Sequence, residues 1–339
     1  MKGNLKYMEK DLVIEEIIKD KSSEEDNIFT NRIFVPLLAL FACFLWGSAF
    51  PSLKISYQEL MISGNDIFTK MLFAGYRFLL ASLFLFVWRL FSKGNKSIKV
   101  DKTNLPFLIV LGLMQTTLQY FFFYNGLANT TGVKGSVLVT LGIFFTVIIS
   151  HFIYNNDKID RRKVLGLAAG FLGVIIVNLS KGSFNFSFKL TGEGFIIMSA
   201  VTSTIAAVMV KNSKHQLEPI LLTAYQMLIG SLFLIAISML GVHPFSLDFT
   251  LKSTLLIFYL AFVSAAGFGL WYSLIKYNKL GYISIYKFMV PISGALLSAL
   301  LLPKEGIYFN TIIALVLVSF GIIMINVGRE NNSRVKSDT

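Results

Sequence analysis

The sequence predicts an all-α integral membrane protein of ten transmembrane helices built as a 5+5 inverted repeat. Three observations carry this. Apolar runs of about twenty residues, the length that crosses a hydrocarbon core of about 30 Å, recur from residue 33 to residue 328. Lys and Arg gather in alternate gaps between the runs, and two blocks of the chain match each other at nearly one spacing.

Composition sets the class. The 339 residues are 55% hydrophobic and 15% charged, with a mean hydropathy of +0.67, whereas a soluble domain holds about 25% charged residues. A water-soluble enzyme is excluded. The net charge of +12 would elsewhere suggest nucleic acid, but basic residues placed between apolar runs report membrane orientation instead, so no nucleic-acid partner is expected. The single cysteine, Cys43, lies inside the first run, and His151, His215 and His243 stand far apart. Neither a disulfide framework nor a metal centre is expected, and no cofactor is implied.

Residues 1–32 mix acids (Glu9, Glu15, Glu16, Glu24, Glu25, Asp26) with lysines and are not a signal peptide, which is basic and acid-poor. They read as a polar cytosolic tail, in which Ile14, Ile17 and Ile18 have the spacing of a short amphipathic helix. The spans then run 33–53, 70–91, 105–127, 133–154, 163–179, 192–210, 219–241, 253–275, 281–302 and 308–328, followed by a cytosolic tail over 329–339. Gly132, Lys134 and Gly135 interrupt the fourth span, Lys287 and Pro291 the ninth, and Gly47 and Pro51 loosen the first.

Orientation follows from the loops. With both termini cytosolic, the short inner segments hold Arg89, Lys93, Lys96, Lys99, Lys102, Lys158, Arg161, Arg162, Lys163, Lys211, Lys214, Lys276 and Lys279. The outer ones hold only Lys54, Lys70, Lys134, Lys181, Lys189, Lys252 and Lys304. Arg329, Arg334 and Lys336 agree, and the expected location is the inner or plasma membrane.

The repeat appears when the chain is slid against itself. An offset of 149 lays Tyr76–Leu85 on Tyr225–Leu234 with six of ten positions identical, and an offset of 148 lays Gly166–Asn178 on Ala314–Asn326, where Gly173 meets Gly321 and Asn178 meets Asn326. The halves are therefore 33–180 and 190–328. Five spans per half is an odd number, so the second half starts on the opposite side of the membrane. Inverted repeats allow one fold to open to either face around a midplane site, the architecture of alternating-access transporters.

The chain resembles the drug/metabolite transporter superfamily in its EamA-type ten-helix branch, over about residues 33 to 328. The resemblance rests on Leu45-Trp46-Gly47-Ser48 with Phe50-Pro51, on Tyr76-Arg77-Phe78, on Gly126-Leu127-Ala128, on Gly166 to Asn178, and on Val290-Pro291 with Leu301-Leu302-Pro303-Lys304-Glu305. It implies a bacterial inner-membrane carrier of metabolites, often an exporter of amino acids or related compounds, without an ATPase module. It leaves the substrate open.

Ionisable residues inside spans are functional candidates. Arg77 lies about 10 Å into the second span and Lys287 about 9 Å into the ninth, at about 1.5 Å per residue. Snorkelling to the interface is the other account of both. No Asp or Glu falls mid-span, the nearest being Glu193, Glu218 and Glu305. A lipophilic cation is therefore disfavoured, and two cations without acidic partners suit a ligand with an anionic group. Gln115 and Gln119 share one face of the third span beside the pair Tyr120 and Tyr124, with helix packing by buried amides as the plainer account. Trp46, Trp271 and Tyr272 complete the candidate substrate site, and Trp88 reads as an interfacial anchor. GxxxxGK[ST], GxSxG and HExxH are all absent, so no catalytic residue is assigned.

The leading expectation is a secondary transporter, expected to export, of a small anionic or zwitterionic metabolite. The alternatives are a nucleotide-sugar, sugar-phosphate or lipid-precursor carrier, or, outside transport, a membrane enzyme or lipid-handling protein. A coupling proton would have to travel on Lys287 or His151. Partners are the substrate and the bilayer, as a monomer or homodimer.

Overall fold

The computed structural model describes residues 28–63, 66–92, 97–129, 138–179, 188–213, 217–301 and 309–334. Among these every regular element is helical. In chain order they are α1 (Phe34–Glu59), α2 (Ile67–Phe91), α3 (Leu105–Gly112), α4 (Gln119–Ala128), α5 (Leu141–Ile153), α6 (Arg161–Leu179), α7 (Phe195–Lys211), α8 (Pro219–Ser238), α9 (Leu251–Tyr277), α10 (Leu280–Ser284), α11 (Met289–Leu301) and α12 (Phe309–Arg334). A π-helical stretch, Leu113–Leu118, fuses α3 to α4 into the third span, and a 3₁₀ turn, Ile285–Phe288, fuses α10 to α11 into the ninth.

Among the described residues seven helices are long and apolar enough to cross a membrane, and Leu141–Ile153 and Ile312–Met324 are shorter apolar helices. With the 19-residue α6 they make the ten expected spans. The tail helix around Ile14, the interruption at Gly132–Gly135 and the C-terminal tail beyond residue 334 lie outside the described residues.

Local chemistry sets the ends. Asp66 caps α2, accepting from the Thr69 amide at 3.0 Å. Thr250 and Ser253 form a reciprocal capping box at α9, and Pro219 starts α8, where a missing N–H costs nothing.

Three details depart from expectation. Helix α1 does not break at Gly47 and Pro51 but runs on to Glu59. Pro51 costs the helix the one hydrogen bond to the carbonyl of Gly47, four residues back. The third span carries the π-stretch, which turns Thr116 and Thr117 toward α8. Thr116 Oγ1 donates to Gln226 Oε1 at 2.8 Å and Thr117 Oγ1 to the Gly230 carbonyl at 3.1 Å. In the ninth span Pro291 falls in the first turn of α11, so the interruption sits just before it, at the 3₁₀ turn carrying Lys287.

Packing repeats itself between the halves. Helix α2 packs on its mate α8, α6 on its mate α12, and α5 on α10. The contact of α1 with α11 is matched by that of α7 with α5, that of α1 with α9 by α7 with α4, and that of α2 with α9 by α8 with α3. The seam between α6 and α12 shows the symmetry atom by atom. A methyl on Gly173 would stand 3.0 Å from the Ala314 carbonyl, and one on Gly321 would stand 2.9 Å from the Gly166 carbonyl. Each glycine is thus the repeat-mate of the other, and so are the two residues they face.

The end of the bundle where α1 begins is tied by polar contacts. Buried Asp157, between α5 and α6, pairs with Lys163 at 2.5 Å and accepts from the Gly281 amide at 2.7 Å. Lys211, closing α7, donates to the carbonyls of Ile275 and Asn278 at 2.9 and 2.7 Å. Arg89 of α2 meets Glu218 before α8 at 2.8 Å, while neighbouring Trp88 faces outward, 66% exposed.

Candidate functional site

A buried cation, Arg77, a half-buried one, Lys287, and the aromatic rings around each make up the candidate site. The 3₁₀ turn ahead of α11 delivers Lys287 between α1 and α9. Its Nζ lies 4.9 Å from the Trp271 ring centre and 5.7 Å from that of Trp46. The indoles are 5.3 Å apart and inclined at 54°, so the ammonium meets two electron-rich faces, a recurrent setting for a cation. Trp46 lies this close to α9 because Gly267 stands beneath it: a methyl there would come within 2.6 Å of the indole Nε1.

Arg77, on α2, is only 4% exposed. Its guanidinium carbon stands 4.3 Å from the Phe78 ring and 5.4 Å from that of Tyr120. The hydroxyls of Tyr57, Tyr120 and Tyr124 lie within its electrostatic reach. No carboxylate pairs with Arg77 or Lys287 among the described residues.

Further rings extend from each cation toward the other. Tyr120 packs against Phe78 at 4.7 Å and Tyr124 at 5.8 Å, and Tyr272 interacts electrostatically with Tyr120. Tyr272 meets Phe268 at 6.0 Å, and Phe268 meets Trp46 at 5.1 Å. Along this path Trp46 Nε1, Tyr57 OH, Arg77 Nε, Tyr124 OH and Tyr272 OH are buried without a hydrogen-bond partner. Buried polar atoms are ordinarily paired, so five open ones around one path mark a surface suited to a polar ligand.

The structure thus gathers Trp46, Trp271 and Lys287 at one station and Arg77, Tyr120 and Tyr124 at another, with Tyr272 between. Gln115 and Gln119 bond to each other, and the Gln119 carbonyl accepts from Ser199 Oγ at 3.0 Å. No hydrogen bond joins this amide pair to either cation among the described residues. His151, at the end of α5, accepts from the Ile159 amide at 2.9 Å in the loop before α6. Groups of three or more His, Cys, Asp or Glu that could hold a metal are absent among the described residues.

Phe78 enters the site from the motif Tyr76-Arg77-Phe78, while Tyr57 and Phe268 join it without having been singled out in the sequence. A signal existed for both of the latter. Tyr57 follows Trp46 by eleven residues, three helical turns, and Phe268 precedes Trp271 and Tyr272 by three and four, so each shares a helix face with a candidate.

Comparison with known proteins bears on the family and the fold. The family model described as the EamA-like transporter family matches twice, over residues 33–179 and 190–327. The chain belongs to the EamA-like transporter family. Among its relatives, a protein of Archaeoglobus fulgidus named only as an uncharacterized transporter is 26% identical, over 81% of this chain and 92% of its own length. The Bacillus subtilis uncharacterized transporter YvbV is 27% identical over 86% and 90%. A chloroplastic WAT1-related protein of Arabidopsis thaliana is 26% identical over 82% and 67%. A solved structure titled only as the crystal structure of a protein superposes with a TM-score of 0.72 at 15% identity, covering 87% of this chain and 96% of that one, and so shares the fold. An EamA-like transporter is a multi-pass membrane protein of ten helices in two repeats, and the archaeal and Bacillus relatives carry the names of transporters.

Proposed function

We propose that this EamA-like transporter is a secondary carrier that moves a small metabolite with an anionic group, such as an amino acid or related compound, across the cell membrane by alternating access. The observation that supports it is the pair Arg77 and Lys287, both inside the bundle, both walled by aromatic rings and neither facing a carboxylate among the described residues. Cations so placed favour a ligand that brings the missing negative charge. The rings would cover its apolar part.

The two repeats, residues 33–180 and 190–328, would exchange conformations about the site. The bias of basic residues in the short loops supports cytosolic termini, and export is the expected direction. The gradient would be spent through a proton on Lys287, the one site cation able to lose its proton.

Uptake into proteoliposomes tests the reading, with a panel of labelled amino acids, organic acids and sugar phosphates. Accumulation of an acid, lost on Lys287→Met, is the expected result. Transport confined to neutral or cationic solutes would overturn it, and transport of sugar phosphates alone would move the chain to a phosphorylated-substrate carrier.

A further inference from the structure

The role of the tyrosines around Arg77 follows from how its guanidinium is held. Its face is covered by the Phe78 ring at 4.3 Å and the Tyr120 ring at 5.4 Å, while the Nε on its edge has no partner. An arginine cannot shed its proton to relieve burial. A permanent, desolvated charge with a covered face and an open edge has the geometry that a carboxylate takes up through two parallel hydrogen bonds. The hydroxyls of Tyr57 and Tyr124, from α1 and α4, are buried without a hydrogen-bond partner and interact electrostatically with the guanidinium and with each other, and Tyr124 is itself 4% exposed. A phenol donates one hydrogen bond, so these hydroxyls can serve the remaining lone pairs of the same carboxylate.

We propose that Tyr57 and Tyr124 complete, with Arg77, a carboxylate-binding station on the substrate path. The proposal rests on the anionic-substrate reading above. The station lies apart from Lys287, across Tyr272, Phe268 and Trp46, and draws on three helices, α1, α2 and α4. A ligand with an amide or hydroxyl in place of the carboxylate would leave the guanidinium edge unpaired and be rejected.

The test uses the full-length protein in lipid nanodiscs carrying Trp88→Phe. Trp88 is 66% exposed and outside the site, so the remaining tryptophans, Trp46 and Trp271, report occupancy by fluorescence. The probes are phenylacetate and phenylacetamide. The acid is expected to bind about tenfold or more tightly than the amide. Tyr57→Phe and Tyr124→Phe should each lower that ratio by about fivefold or more, the worth of a hydrogen bond to a charged group. They should do so by weakening the acid, which a purely structural role would not single out. If a phenylalanine variant fails to reach the membrane, Arg77→Lys, which keeps the charge and loses the fork, should lower the ratio in the same way. An unchanged ratio in these variants overturns the proposal. If the ratio then collapses only in Lys287→Met, the anionic-substrate reading stands and the tyrosine station alone fails. No preference for the acid in the parent removes both.

Discussion

The ammonium of Lys287 faces the ring of Trp271 at 4.9 Å, across the gap between a 3₁₀ turn and the long helix α9. The contact fixes the direction of a side chain whose length would also let it reach the membrane surface. Lys287→Met should abolish or strongly weaken transport at normal abundance in the membrane. Lys287→Arg should keep part of it, since a planar fork replaces a point charge imperfectly. Transport rates normalised to membrane content decide it, and near-parental transport by the methionine variant would remove Lys287 from the site.

The buried pair of Asp157 and Lys163 holds the loop between α5 and α6 against the start of α10. Lys163→Met removes the ion pair and leaves the buried carboxylate on the Gly281 amide, with Lys211 the more distant cation in electrostatic reach. The expected loss is about 3 to 5 kcal/mol, read as a lower unfolding temperature in detergent. The double variant Asp157→Ala with Lys163→Met should recover part of it.

At the seam of α6 and α12, Gly173→Leu and Gly321→Leu should be similarly damaging, because each drives a side chain into a carbonyl on the facing helix. The cost of such overpacking is about 1 to 3 kcal/mol. Thermal unfolding of the two variants should fall together. A large loss in one and none in the other would show that the seam is not reciprocal.

Cytosolic termini predict that a reporter active only in the periplasm is silent when fused after Asn326, and that one active only in the cytosol is bright there. The reverse pattern would invert the whole topology.

Much of this was legible in the chain. Apolar run length located the spans, and the matched blocks around Tyr76 and Gly173 gave the pairing of α2 with α8 and of α6 with α12. Arg77 and Lys287 stood out because charge is rare at membrane depth. The continuity of α1 through Pro51 was hidden, since a proline four residues after a glycine is compatible with either a break or a bend. The π-stretch of the third span was hidden too, because its cause is not local: Thr116 and Thr117 bond to α8, more than a hundred residues away. Tyr57 and Phe268 were hidden by abundance. Among 13 tyrosines and 32 phenylalanines, a helix face shared with Trp46 or Trp271 is a faint signal until the folded neighbours are known.

The reciprocal seam between Gly173 and Gly321 also bears on covalent continuity. Two surfaces that complement each other through the same residues need no peptide link to recognise one another, only proximity, and a tether supplies little beyond effective concentration. A gene cut between the codons for Leu179 and Lys189 should therefore yield two polypeptides that find each other in the bilayer and co-purify. On that view the single chain is a dimer whose partners have been joined end to end.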